Sequence, residues 1–193
     1  LMKFIRFRPA AVAAETDKGR QTQRSDAFAK KVESDIVAKW ARGIYEGDAA
    51  QVDDDIWVSG NLGDARLALA AYWKELLLSP EEHRQAAIRM HTPTPRIELG
   101  IALRGIAHAA LDISDGLIGD LGHILESSKL GASLFIDRLP AGPVLRQQSL
   151  EQRRAFTLAG GDDYELCFTA PAHQREAVIA AGLAPTLSGA GPF

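Results

Sequence analysis

Apolar positions along this chain follow helical and strand spacings by turns. From Ser25, residues Phe28, Val32, Ile36 and Trp40 recur every four positions with Lys, Asp and Glu between them, and Gly43 and Gly47 follow. This predicts an amphipathic helix whose stripe needs cover from the same chain or a neighbouring subunit. The residues before it, "LMKFIRFRPAAVAAETDKGRQTQR", are Arg-rich and lack a secretory core, so a loose arm is expected. "DDDIWVSG" predicts a short strand at Ile56 to Val58. A turn at Gly60 to Gly63 and a helix carrying Leu62, Leu69, Trp73, Leu76 and Leu77 come next. In "SPEEHRQAAIRM", Ser79 as N-cap, Pro80 at the first helical position and Glu82 three beyond the cap make a capping box, and Pro93 and Pro95 stop that helix.

The alternation continues. "IELGIALRGIAHA" predicts a helix with Leu99, Leu103, Ile106 and Ala110 on one face, "ALDIS" a buried strand, and "GLIGDLGHILESS" a helix buried along Leu117, Leu121, Ile124 and Leu125. "GASLFID" reads as a half-buried strand with Leu134 and Ile136 inward, "SLEQRRAFTLA" as a helix, "YELCFTA" as a strand and "PAHQREAVIAAG" as a last helix. Turn residues fill the tail "LAPTLSGAGPF". Strands interleaved with helices from Asp55 onward predict an α/β (mixed α+β) fold, with helices packed on a mixed sheet.

Composition narrows the partners. The 193 residues carry a formal charge of -3, which offers no global field for nucleic acid or anionic lipid. No apolar run approaches a membrane span. The lone Cys167 suits a reducing cytoplasm and reads as packing in its strand. The five histidines show no metal-ligand spacing, and His123 reads as an interior or boundary group. Trp40, Trp57 and Trp73 read as core.

Two stretches can carry chemistry. In "LDISDGL", Asp112 leaves a strand while Ser114 and Asp115 stand where a helix begins. Hard oxygen ligands there suit magnesium, which takes one or two protein carboxylates and completes its shell with water and phosphate. Free amides at the helix start favour phosphate, and Gly116 permits close approach. The plainer alternative is that Ser114 or Asp115 is simply an N-cap. In "LAGGDDYELCF", a Gly-Gly turn sets Asp162 and Asp163 at a strand end, where ligand groups are often displayed; the alternative is a turn whose aspartates cap amides. Asp53 to Asp55 read as a solvated edge, and Asp64 as the cap of the next helix.

Taken in order, "DDIWVSGNLGDARLAL", "PTPRIELGIALRGIA", "ALDISDGLIGDLGHIL", "GASLFIDRLP" and "AGGDDYELCFTAP" resemble the C-terminal part of bacterial thiamine-monophosphate kinase, of the aminoimidazole ribonucleotide synthetase-like superfamily. The resemblance spans about Asp54 to Pro171. It implies transfer of the ATP γ-phosphoryl group to thiamine monophosphate, with Mg2+, in a cytoplasmic homodimer. It further implies Asp112 and Asp115 as magnesium ligands, Ser114 as an ATP contact and Asp162, where many relatives have Glu, as a substrate contact. No protein nucleophile is required. It places the match at 51–193, truncated at its C-terminus, and leaves 1–50 as an arm and helix without a family counterpart. The family's N-terminal aspartate-rich, dimer-forming domain has no equivalent here, since Gly47-Asp48 is followed by Ala49, so activity is expected to be impaired. The competing expectations are a non-catalytic remnant that binds Mg2+ and phosphate or pairs with another protein, and another ATP-dependent enzyme of the superfamily.

Overall fold

The computed structural model describes residues 2–8 and 50–182. Five strands form its sheet: β1 (Met2–Arg8), β2 (Asp54–Val58), β3 (Ala109–Asp112), β4 (Gly131–Ala132) and β5 (Leu166–Pro171), in the order β3-β5-β2-β1-β4. The ladders are antiparallel, Trp57 facing Phe168 and Ala110 facing Phe168 across the neighbouring pair. The parallel component among the described residues is the bridge Leu62↔Ala141. Residues 2–8 therefore do not belong to a free arm: β1 pairs with β2 on one side and β4 on the other. The helix expected from Ser25 and the tail from 183 onward lie outside the described residues.

Strand parity sorts the core into two layers, because successive side chains leave a strand on opposite faces. Ile56, Val58, Ala109, Ile113 and Cys167 meet Leu117, Leu121 and Ile124 of α4 (Leu117–Ser128) on one face. Trp57, Ala110, Leu166, Phe168 and Ala170 meet Leu99 of α3 (Ile97–Ala102) and Val178 of α6 (Arg175–Gly182) on the other. The Trp57 and Phe168 rings stack there at 6.2 Å. A satellite core joins Leu67 and Ala68 of α1 (Asp64–Tyr72), Ala86 and Ala87 of α2 (Pro80–His91), and Val144 and Leu145. The remaining helix, α5 (Leu150–Ala159), starts from a Ser149/Gln152 capping box.

Several expectations need correcting. The "GASLFID" strand shrinks to Gly131–Ala132, and a 3-10 turn over Ile136–Arg138 leaves Ile136, expected inward, exposed. In α1 the buried face is Ala65, Leu67 and Ala68; Trp73 and Leu77 are 46% and 94% exposed because the helix ends at Tyr72. The third helix ends at Ala102, although Leu103 stays buried. His123 is exposed on α4.

Candidate functional site

The two chemistry-bearing stretches meet. After Asp112 the chain leaves β3, and Ile113 N–H donates to Glu165 O at 2.7 Å. Tyr164 N–H donates to Ile113 O at 2.9 Å, and Asp162 N–H donates to Ser114 O at 3.0 Å. The turns 112–116 and 160–165 are thus laced by their backbones. The contact is close enough that a Cβ on Gly161 would lie 2.6 Å from the Ser114 carbonyl oxygen. Asp162 and Tyr164 take φ of 69° and 50°, a left-handed conformation that is uncommon for non-glycine residues and typically held where a site demands it.

Asp112 and Ser114 are half-buried and Asp115 is exposed, so none of the three is sealed under aliphatic neighbours. Asp162 is buried, and its Oδ1 accepts from the Tyr164 hydroxyl at 3.3 Å. The start of α4 is organised differently from expectation. Its N-cap is Gly116, with no side-chain cap. The buried Asp120 carboxylate reaches back from the first turn and accepts from the amides of Ser114, Asp115 and Gly116 at 2.9, 3.0 and 3.1 Å. Those amides are not free for phosphate. Gly116 serves packing rather than ligand approach: its φ is 116°, and a Cβ there would lie 2.9 Å from the Ala159 carbonyl carbon.

Burial raises the Asp120 carboxyl to about 6; the amides of Asp115 and Ser114 oppose this, and the negative charges of Asp115 and Asp112 add to it. That mutual influence marks a local concentration of carboxylate oxygen. Hard oxygen donors on Asp112 and Asp115 fit a magnesium ion completed by water and phosphate. A closed protein cage is not what they form: no group of three or more His, Cys, Asp or Glu arranged to hold a metal occurs among the described residues.

Behind this loop lies a buried ionic cluster that sequence reasoning missed. Glu165, its side chain 1% exposed, accepts from Arg96 Nε and Nη2 at 2.8 Å each, from Arg89 Nη2 at 2.5 Å and from Ser59 Oγ at 2.5 Å. Arg89 also donates to the Asp163 carbonyl at 3.2 Å, and both Asp163 carboxylate oxygens accept from Gly63 N–H at 2.9 and 3.0 Å. Burial pushes the Asp163 carboxyl well up, with Gly63 opposing. Asp64 does not cap α1: its carboxylate accepts from the amides of Val144 and Leu145, and burial raises its carboxyl. Asp54 and Asp55 are likewise not a solvated edge. They are buried against His108 at 2.9 Å and Arg175 at 2.7 Å. Their partners lie dozens of residues away, so spacing carries no trace of them.

No family model matches the chain. It is 46% identical over 130 residues to the thiamine-monophosphate kinase of Haemophilus influenzae, covering 66% of this chain and 39% of that protein. Against the Escherichia coli K12 enzyme the figures are 42% over 131 residues, 67% and 40%. Over about two thirds of its length the chain is similar to the C-terminal part of thiamine-monophosphate kinases. Among solved structures, the Stenotrophomonas maltophilia thiamine-monophosphate kinase superposes with a TM-score of 0.66 at 44% identity, over 72% of this chain and 46% of that one. AaThiL complexed with AMPPCP and TMP superposes with a TM-score of 0.59 at 30% identity, over 66% and 42%. Escherichia coli HypE shares the fold, with a TM-score of 0.58 at 20% identity over 71% of this chain and 41% of that one. This chain spans about two fifths of the length of the curated thiamine-monophosphate kinases it matches.

Proposed function

We propose that residues 51–193 are the C-terminal domain of a thiamine-monophosphate kinase, which transfers the ATP γ-phosphoryl group to thiamine monophosphate. In that reaction a phosphate oxygen of thiamine monophosphate bonds to the γ-phosphorus, the β–γ bridging bond breaks, and thiamine diphosphate and ADP leave. Asp112 and Asp115 would hold Mg2+, Ser114 would contact ATP and Asp162 would contact the substrate. Bound magnesium supplies neutralisation of phosphate charge. The protein's own part is alignment: the laced turns fix Ser114 relative to Asp162, and the Glu165 cluster makes the second turn stiff. The observation that carries this reading is the backbone lacing itself, which unites two stretches that run from Asp112 to Asp115 and from Gly160 to Glu165. The AMPPCP and TMP held by AaThiL, an ATP analogue and the corresponding phosphate acceptor, support the same reading. We take the setting to be cytoplasmic and the family's homodimer to depend on the portion of the relatives that this chain does not match.

Only about two fifths of the relatives is represented, so the expected behaviour of this chain alone is weak binding of MgATP with little or no turnover. Calorimetry with MgATP and thiamine monophosphate, repeated on Asp112→Asn, tests the site. The heats should fall in the variant, and unchanged heats would remove Asp112 from it. Robust ADP release dependent on thiamine monophosphate would overturn the expectation of impaired activity.

A further inference from the structure

Away from the laced turns, at the N-terminal end of α5, a cavity of about 350 Å³ opens between that helix and residues 136–141. Four arginines line it, Arg138, Arg146, Arg153 and Arg154, against the single carboxylate of Asp137. In a chain of net charge -3, that is a local inversion of sign. Arg154 spends its Nε and Nη2 on Asp137 at 2.7 and 2.8 Å. Arg146 donates to the Ala141 carbonyl at 3.0 Å, and Arg138 stacks over the Phe135 ring at 5.1 Å. Neither Arg138 nor Arg153 forms a salt bridge with a carboxylate among the described residues, Arg153 acting on Asp137 only at longer range, and among those residues the buried Nε of Arg153 has no hydrogen-bond partner. A buried N–H left unpaired is costly, and a guanidinium fork is shaped to meet the oxygens of a phosphate. The positive end of the α5 dipole adds to the same potential. Leu139 and Leu150 give the cavity an apolar wall, and its size is at the small end of ligand pockets.

We propose that this cavity is a second anion site, taking a phosphate-bearing small molecule without a divalent cation. Its lining on α5 runs from Leu150 to Thr157, so the two sites share this helix and are told apart by chemistry. Without metal, Asp112 and Asp115 repel phosphate, whereas the arginine cavity needs no cation.

Calorimetric titration with pyrophosphate in EDTA at low ionic strength therefore reads this cavity alone. Saturable binding is expected, weakened at least about tenfold in the double variant Arg138→Ala/Arg153→Ala, as loss of two charge-assisted contacts requires. Asp137→Ala should tighten binding severalfold by releasing Arg154, a gain that loss of a merely structural ion pair would not produce. Arg138 and Asp137 are exposed and Arg153 is half-buried, and circular dichroism of these variants is expected to match the parent protein, so that lost binding reads the arginines rather than the fold. Absence of saturable binding, or affinity indifferent to the arginine changes, would overturn the proposal. Tighter binding of polyglutamate than of pyrophosphate would overturn it too, assigning the arginines to an acidic protein partner. None of these outcomes depends on Asp112→Asn, so failure here leaves the kinase reading untouched.

Discussion

Glu165 is the residue on which the inner side of the candidate site rests. It is buried with two guanidinium groups and a hydroxyl directed at its carboxylate. Replacing it with Gln leaves Arg89 and Arg96 without their shared counter-charge in a desolvated setting. Breaking a buried ion pair in this one-sided way costs about 3–5 kcal/mol. Urea denaturation of Glu165→Gln should show a loss of that order, and a loss within error of zero would mean that solvent reaches the cluster. This residue also marks where sequence reading stops. The strand "YELCFTA" is legible from its period of two, but Arg89 and Arg96 stand 76 and 69 residues upstream of Glu165, and no local pattern announces them. Asp120 was hidden for a different reason. On a helix with an apolar stripe it reads as an exposed polar position, whereas it folds back to satisfy the amides that begin its own helix.

At the scale of the element, what the sequence reveals is what is local. The Ser79/Glu82 box at α2 lies three residues across and forms as expected, and the Leu117, Leu121, Ile124 stripe of α4 is buried as its spacing predicts. The failures are elements whose fate is decided elsewhere. β1 is a strand because β2 and β4 accept it, and "GASLFID" stops pairing after two residues despite its alternation. The element that ties both proposed sites together is α5, which runs from the arginine cavity to the Gly160-Gly161 turn. Its capping box sends Gln152 N–H to Ser149 Oγ and Ser149 N–H to Gln152 Oε1, each at 3.2 Å. Ser149→Ala removes the cap and should cost about 1 kcal/mol, with Ser149→Gly costing only a few tenths. Denaturation midpoints in that order check the assignment; equal losses would indicate that packing, not capping, governs the start of the helix.

For the whole molecule, burial of carboxyl groups sets a pH dependence with an unusual sign. Desolvation raises the carboxyls of Asp64 and Asp163 above their ordinary range near 4. The native protein then holds these protons at pH values where the unfolded chain has released them. Stability from these two groups is present at low pH and is lost as pH rises from about 4 through their folded-state values. Urea denaturation across mildly acidic to neutral pH should show that decline, and Asp64→Asn, which cannot titrate, should flatten it. A parent protein whose stability climbs steadily over the same range would show that the ionised forms are the better solvated ones.

The strand order has a consequence for how this protein is made. β5, the last in sequence of the described strands, inserts between β3 and β2, pairing Pro171 with Asp54. Until it emerges, β2 and β3 have no bridge between them, and Trp57 lacks the aromatic ring on which it stacks. The hydrophobic faces assigned to both layers of the core are thus held open until β5 is available. Pairings this distant in sequence are slow to close. The two apolar layers therefore close only once β5 has been made and has entered the seam between β2 and β3.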